Sequence, residues 1–152
     1  MSDQSAKGKR ASAELLDALY KNVKMGGDSI VDLLPKVKSE ALRKEMTAEL
    51  ERYEELAKDI REALFALNVQ PREENLATKA MTKMGIMMNT LTDTTASHIA
   101  DMMIQGATMG VTDATKLIRE HENAPCSEEA LTLARKVVEF EEASIEKLKS
   151  FL

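Results

Sequence analysis

A chain of 152 residues with 43% hydrophobic and 31% charged residues has the composition of one globular domain rather than of a disordered chain. Its net charge of −5 argues against a duplex nucleic-acid binder, and no apolar run reaches the roughly 18 residues that a membrane span requires. With one cysteine and no signal-peptide pattern, we expect a cytoplasmic protein without an internal disulfide.

The N-terminal third predicts a tail followed by a helix. Residues 1–11 are small and polar, which predicts a flexible tail before a single domain over residues 12–152. From Ser12 onwards, apolar residues recur at steps of three and four, the pattern of one helix face. Pro35 cannot occupy a helix interior, so this first helix is expected to end near Leu34.

The middle of the chain predicts a second helix and an interrupted third. Ser39 is a candidate N-cap for the second helix, whose apolar stripe runs to Leu67. A loop containing "NVQPREEN" follows. The next helical segment is broken by "LTDTTAS", which predicts a helix near 76–91 and another near 94–122, either separate or joined by a kink.

The last helix begins after a clear stop signal. Pro125 ends the preceding segment, and Ser127 is an N-cap candidate with two glutamates in the first turn. No alternating β-branched run and no hairpin turn signal appears. Four amphipathic helices with short loops predict an all-α, antiparallel four-helix bundle with a kinked or split third helix.

The most unusual segment, residues 77–118, contains seven of the ten methionines and few charged residues. A charge-poor helix is buried on more than one side, and interface cores are depleted in charge and enriched in Met. Small residues four positions apart also permit close helix approach. We therefore predict a homo-oligomer, with a dimer favoured, whose interface includes Met81, Met84, Met87, Met88, Gly106 and Gly110.

Two other interpretations of the methionines remain open. Thioethers bind copper(I), but no His or Cys accompanies these residues, and their spacing is that of any core stripe. A Met-rich face can also receive an amphipathic helix from another protein, which would make the chain an adaptor.

A dinuclear metal site in a four-helix bundle needs inward glutamates on two helices and a Glu-x-x-His pair on each of the other two. On the second helix, the apolar stripe makes Leu50 and Tyr53 the inward pair and places Glu49 near its edge. On the last helix, Glu141 is the carboxylate expected to face inward, hydrogen-bonded to the Tyr53 hydroxyl as a buried polar pair. His98 and His121 belong to no Glu-x-x-His pair. No catalytic or cofactor-binding residues are predicted.

Four segments carry a resemblance to a known superfamily: "LYKNVKMGGDSI", "LRKEMTAELERYEELAKDI", "IADMMIQGATMGVTDATKLI" and "VVEFEEASIEKL". They resemble the bundle helices of the ferritin-like superfamily, in particular its small bacterial members related to rubrerythrin and to spore-coat proteins. The resemblance implies a long crossover between the second and third helices. Metal-bearing members oxidise iron or reduce peroxide. The second and fourth segments look like Glu-x-x-His segments in which Glu54 and Glu142 stand where the histidines would be.

The sequence thus predicts a ferritin-like bundle that is not an enzyme, binds no cofactor and has a structural or interaction role. The alternative is a carboxylate-bound iron or manganese bundle with oxidase- or peroxidase-type activity. In that case the metal ligands would come from two glutamate-rich segments, namely Glu49, Glu51, Glu54, Glu139, Glu141 and Glu142.

Overall fold

Four helices form the described part of the chain. The computed structural model describes residues 2–71 and 91–152, with side chains from residue 6 onwards. The helices are α1 (Ser2–Leu33), α2 (Glu40–Ala66), α3 (Ala96–His121) and α4 (Glu128–Leu148), and short 3-10 turns follow α1 and α4. In these two stretches of chain, no helix has both the length and the apolar character needed to cross a bilayer.

The side-chain contacts show that neighbouring helices run antiparallel. Glu49 and Tyr53 of α2 hydrogen-bond to Ser144 and Glu141 of α4, so the order along one helix is reversed on the other. Short turns reverse the chain between α1 and α2 and between α3 and α4. Residues 67–95 separate α2 from α3, and these two helices run in the same direction.

The helix boundaries follow local sequence signals. Ser39 caps α2 by accepting a hydrogen bond from the backbone N–H of Leu42 (3.2 Å), and Ser127 caps α4 in the same way. The α1 helix ends at Leu33, and Pro35 lies in the 3-10 turn that follows. These boundaries agree with the predicted ones to within a residue.

The start of α1 differs from the prediction. The helix begins at Ser2, so the residues predicted as a tail before Ser12 are helical. This part of α1 lies beside the turn before α4: at its end, Ser12 Oγ accepts a hydrogen bond from the Ser127 backbone N–H (2.9 Å). A side chain at Gly8 would lie 2.8 Å from the Pro125 carbonyl oxygen, so the helix passes close to that turn.

The predicted interruption of the third helix is present in the residues that can be described. Residues 91–95 are not helical, and Thr95 caps α3 by accepting from the backbone N–H of His98 (3.3 Å). The predicted helix near 76–91 falls almost wholly outside the described residues. At the other end of the crossover, Asn68 has φ 60° and closes α2, with the Val69 N–H donating to the Leu64 carbonyl.

The core lies on the stripes that the sequence indicates. It is aliphatic, as expected from the low aromatic content, and it draws on all four helices. Its largest fully buried side chains are Tyr20, Leu15, Leu16, Leu19, Leu33, Leu42, Met46, Leu56, Ile60, Leu64, Ile99 and Leu148. Two glutamates, Glu49 and Glu141, are buried among these residues and are the acidic side chains of the described core.

Candidate functional site

Two hydrogen-bonded pairs connect α2 to α4 in the bundle interior. Tyr53 Oη donates to Glu141 Oε2 (3.1 Å), and Ser144 Oγ donates to Glu49 Oε1 (2.6 Å). All four residues are at most 5% exposed. The Tyr53 ring also packs edge-on against Phe140 of α4, with ring centroids 4.8 Å apart. We call these four residues, Glu49, Tyr53, Glu141 and Ser144, the interior polar cluster.

Burial changes the acidity of the cluster. Removal from water raises the pKa of Glu141 from 4.5 to about 8, and the negative charge of Asp113 adds to the rise while the Tyr53 hydrogen bond opposes it. Burial likewise raises the pKa of Glu49 to about 7, against the opposing hydrogen bond from Ser144. The pKa of Tyr53 is held well above 10 by burial and by the Glu141 carboxylate. At neutral pH, Glu141 is therefore mostly protonated.

Glycines on α1 and α3 make room for the cluster. A Cβ added to Gly26 of α1 would lie 2.5 Å from Tyr53 Cζ, which is far inside contact distance. A Cβ added to Gly110 of α3 would overlap the Glu141 carboxyl group. The Gly110 backbone also approaches α1, where its carbonyl accepts a hydrogen bond from Asn22 Nδ2 (2.9 Å). Glycine is thus required where α1 and α3 pass over the side chains of α2 and α4.

A cavity of about 110 Å³ adjoins the cluster. Most of its lining comes from α1 and α3, and the four cluster residues contribute from α2 and α4. The walls are mainly apolar, with Met102 buried and Met103 half-buried, whereas Met25 and Met109 are 45% and 57% exposed. The cavity therefore has a thioether-rich, partly exposed side and a carboxyl-bearing interior.

The structure separates the six glutamates that were proposed together as alternative metal ligands. Glu49 and Glu141 are buried, whereas the other four are exposed on the outer faces of α2 and α4. The exposed residues are Glu51, Glu54, Glu139 and Glu142.

Glu49 was placed incorrectly by the sequence argument. It is 4% exposed and faces α4, whereas Leu50, the expected inward residue, is half-buried. Glu49 and Tyr53 hydrogen-bond to α4, and the Leu50 side chain lies near Gly27 of α1 instead. The rest of the predicted stripe, from Leu42 to Leu64, is buried, so the error is confined to the choice of Leu50 over Glu49. Both residues lie three and four positions from Met46 and Tyr53, so the spacing alone does not distinguish them.

The structure brings the proposed buried pair, Tyr53 and Glu141, together as a hydrogen bond. The partner of Glu49, Ser144, was not predicted as a site residue. Ser144 was expected one turn after Glu141 on the same helix face, but it was not paired with Glu49, because Glu49 was expected at the edge of the stripe.

Most of the predicted interface residues fall within residues 72–90, outside the described residues. They are Met81, Met84, Met87 and Met88. Gly106 and Gly110 are described, and both line the cavity within the chain. The close helix approach that their spacing predicted is made at Gly110, towards Asn22 and Glu141.

The histidines and the cysteine lie apart from the cluster. His98 and His121 are at opposite ends of α3, where His121 Nδ1 contacts the Leu117 carbonyl oxygen (2.8 Å). Cys126 is a half-buried free thiol in the turn before α4. None of the three lines the cavity.

Comparison with known proteins identifies the fold but not the activity. No protein-family model matches the sequence, and no curated protein is similar to it. Among solved structures, the chain is similar to a dodecameric thioferritin, the bacterioferritin-related protein from Bacteroides fragilis, with a TM-score of 0.75 at 10% sequence identity. The match covers 97% of this chain and 88% of that one. The ferritin-like, antiparallel four-helix fold expected from the sequence is confirmed.

The side chains of the cluster do not fit the dinuclear metal centre of metal-bearing ferritin-like proteins. Such a centre takes a glutamate from each of two helices and a Glu-x-x-His pair from each of the other two. Here Glu141 is followed three residues later by Ser144, and Gly26 and Gly110 occupy the facing positions on α1 and α3. Over residues 2–71 and 91–152, no group of three His, Cys, Asp or Glu side chains could hold a metal ion. Two buried carboxyl groups with hydroxyl partners form a hydrogen-bonded core instead.

Proposed function

We propose that this chain is a non-enzymatic ferritin-like bundle with a structural or interaction role in the cytoplasm, without a dinuclear iron or manganese centre. The interior polar cluster carries this proposal. Each of its two carboxyl groups is hydrogen-bonded to a hydroxyl, from Ser144 or Tyr53, where a metal centre would need further carboxylates and imidazoles. Burial raises the pKa of Glu49 to about 7 and that of Glu141 to about 8, so at neutral pH the two groups carry less than the full negative charge of two carboxylates.

We further propose that the chain forms a homo-oligomer, with a dimer favoured. The charge-poor, Met-rich composition of residues 77–118 supports a second buried surface. On the described surface, Met25 and Val31 of α1 and Met109 of α3 are large apolar side chains that are about half exposed. The thioferritin of similar fold is dodecameric, which makes assembly compatible with this architecture.

Thermal unfolding with added metal tests the absence of a dinuclear centre. Metal bound to the native state at 100 times its Kd would stabilise the chain by about 2.7 kcal/mol. We expect no such rise in Tm when Fe²⁺ is added under anaerobic conditions or when Mn²⁺ is added. Glu51→Gln, which changes an exposed carboxylate on α2, controls for binding at the surface. A saturable stabilisation that Glu51→Gln keeps and Glu49→Gln loses would support the oxidase or peroxidase alternative.

Size-exclusion chromatography with light scattering measures the mass of the assembly and so tests the proposed oligomer. We expect a mass of at least two chains at micromolar concentration, and we expect Met84→Glu to shift the protein towards monomer by placing a charge in the predicted interface. Phe65→Glu is the matched control, because Phe65 is an exposed apolar residue (54%) outside the predicted interface. An unchanged mass for Met84→Glu would contradict the proposed interface. A monomeric unaltered chain that binds a hydrophobic dye would favour the adaptor hypothesis.

A further inference from the structure

The charged residue types in the described lining of the cavity beside the interior polar cluster are all acidic. Three carboxyl-bearing residues line it: Glu49 of α2, Asp113 of α3 and Glu141 of α4. Within residues 2–71 and 91–152, no Lys, Arg or His is among the lining residues, and the α1 residues that line the cavity are uncharged. Lys147 does not line the cavity; it lies 3.9 Å from Oε1 of Glu45, a neighbour of Glu49 on α2, and its charge lowers the pKa of Glu49. Among the described residues, the cavity lining therefore offers carboxyl oxygens and no cationic side chain.

One buried oxygen of this group is left without a hydrogen bond. Glu141 is 2% exposed, and while its Oε2 accepts from Tyr53, its Oε1 has no hydrogen-bond partner among the described residues. A buried polar atom that lacks a partner destabilises the native state, so nearly all such atoms are satisfied in proteins. Glu141 is a lining residue of the cavity, so a donor that enters the cavity would supply the missing bond.

The lining also restricts what the donor can be. An anion would be repelled by the three carboxyl groups, and a neutral apolar molecule would leave Glu141 Oε1 unsatisfied. A metal ion would find too few converging ligands among the described side chains. The apolar walls, which include Met102, suit a short hydrocarbon tail.

We propose that this cavity binds a small primary alkylammonium ion. Its N–H groups would donate to the buried carboxyl oxygens of Glu141 and Glu49, and its hydrocarbon tail would pack against the methionine side chains that line the cavity. An alkylammonium group has the chemistry of a lysine side chain and stays protonated to about pH 10. Each N–H bond to an ionised carboxylate is charge-assisted and thus stronger than a neutral hydrogen bond. The cavity of about 110 Å³ has room for a tail of only a few carbons.

Binding of this ion is coupled to loss of a proton from the cluster. Burial raises the pKa of Glu141 to about 8 and that of Glu49 to about 7, and the cation favours the ionised form of both. Asp113 and Tyr53 face Glu141, whereas Glu45 and Lys147 face Glu49. The carboxyl proton leaves to solvent while the ammonium ion keeps its own protons. Affinity is therefore expected to rise with pH between about 6 and 9.

Calorimetric titration of the full chain tests the proposal. The probes are n-butylammonium chloride, its neutral counterpart 1-butanol, sodium butyrate and MnCl₂, each at pH 6.0 and pH 9.0. At pH 9.0 we expect n-butylammonium to bind at least about tenfold more tightly than 1-butanol, with no binding of butyrate. At pH 6.0 we expect its affinity to be at least about tenfold lower. At pH 6.0, where both carboxyl groups are mostly protonated, titrations in buffers of different ionisation enthalpy should show net proton release, and at pH 9.0 they should show little.

Paired variants on α4 identify the site. Glu141→Gln keeps an acceptor for Tyr53 but removes the charge, so it should lose the preference for n-butylammonium over 1-butanol. Glu142→Gln removes an exposed charge from the next position and should keep that preference. Equal loss in both variants, equal affinity for the amine and the alcohol, or binding of Mn²⁺ without binding of the amine would each overturn the proposal. If Glu141→Gln does not fold, the affinities of the unaltered chain for n-butylammonium and 1-butanol test the proposal by themselves.

Discussion

The free energy of unfolding is expected to fall by at least about 3 kcal/mol as the pH rises from 5 to 9. Glu49 and Glu141 have folded-state pKa values of about 7 and about 8, against 4.5 when unfolded. Between these values the native state holds more protons than the unfolded state, so stability decreases as pH rises. Both groups are protonated in either state below pH 4.5, and the full penalty is present above about pH 8.

Glutamine variants assign this pH dependence to the interior polar cluster. The double variant Glu49→Gln/Glu141→Gln cannot ionise at either position, so it should lose most of the decrease and be roughly 2–5 kcal/mol more stable than the unaltered chain at pH 9. The control is Glu51→Gln/Glu142→Gln, which removes two exposed charges from the same helices. The measurement is urea unfolding followed by circular dichroism at each pH. A stability that rises from pH 5 to pH 9, or one that the double variant does not alter, would show that the two carboxyls ionise freely in the native state.

Two adjacent glycines on α1 should respond oppositely to the same substitution. A Cβ at Gly26 would lie 2.5 Å from Tyr53 Cζ, so Gly26→Ala must displace a buried ring that is hydrogen-bonded to Glu141. We expect a loss of about 1–3 kcal/mol, even though Ala favours a helix over Gly by ~1 kcal/mol. A Cβ at Gly27 would make ordinary contacts at 3.6 and 3.7 Å, so Gly27→Ala should be neutral or stabilising.

Thermal and urea unfolding of both glycine variants measures the difference, and a second substitution locates its cause. Replacing Tyr53 by Leu removes the ring that the new methyl group would strike. The cost of Gly26→Ala should therefore be smaller in the Tyr53→Leu background, whereas the effect of Gly27→Ala should change little. If Gly26→Ala stabilised the chain as much as Gly27→Ala, the close packing of α1 over Tyr53 would be wrong.

The fold was largely predictable because its signals are local. Ser39 and Ser127 cap helices where their positions before apolar stripes indicated, and Pro35 ends the first helix segment. The helical structure before Ser12 was not predictable, since it is accompanied by contacts to a turn more than a hundred residues away. Polar, small residues give no periodic signal by themselves, so the sequence alone favoured a tail.

The site was only half predictable. Tyr53 and Glu141 could be paired because both lie on apolar stripes of helices that face each other in a bundle, and a buried carboxyl needs a partner. Glu49 was missed because Leu50 fits the same steps of three and four between Met46 and Tyr53, and the apolar residue was assigned to the inward position. The need for glycine at positions 26 and 110 depends on how closely α1 and α3 pass over that pair, a distance between helices that no sequence pattern states.

Metal content per chain tests the central claim that the interior polar cluster is a hydrogen-bonded core and not a metal centre. The protein would be produced with iron and manganese supplied, purified without chelator and analysed by inductively coupled plasma mass spectrometry. We predict near-zero occupancy of either metal, because the cluster presents two carboxyl groups already bonded to Tyr53 and Ser144. About two metal ions per chain, lost in Glu49→Gln and Glu141→Gln and kept in Glu51→Gln and Glu142→Gln, would contradict that claim.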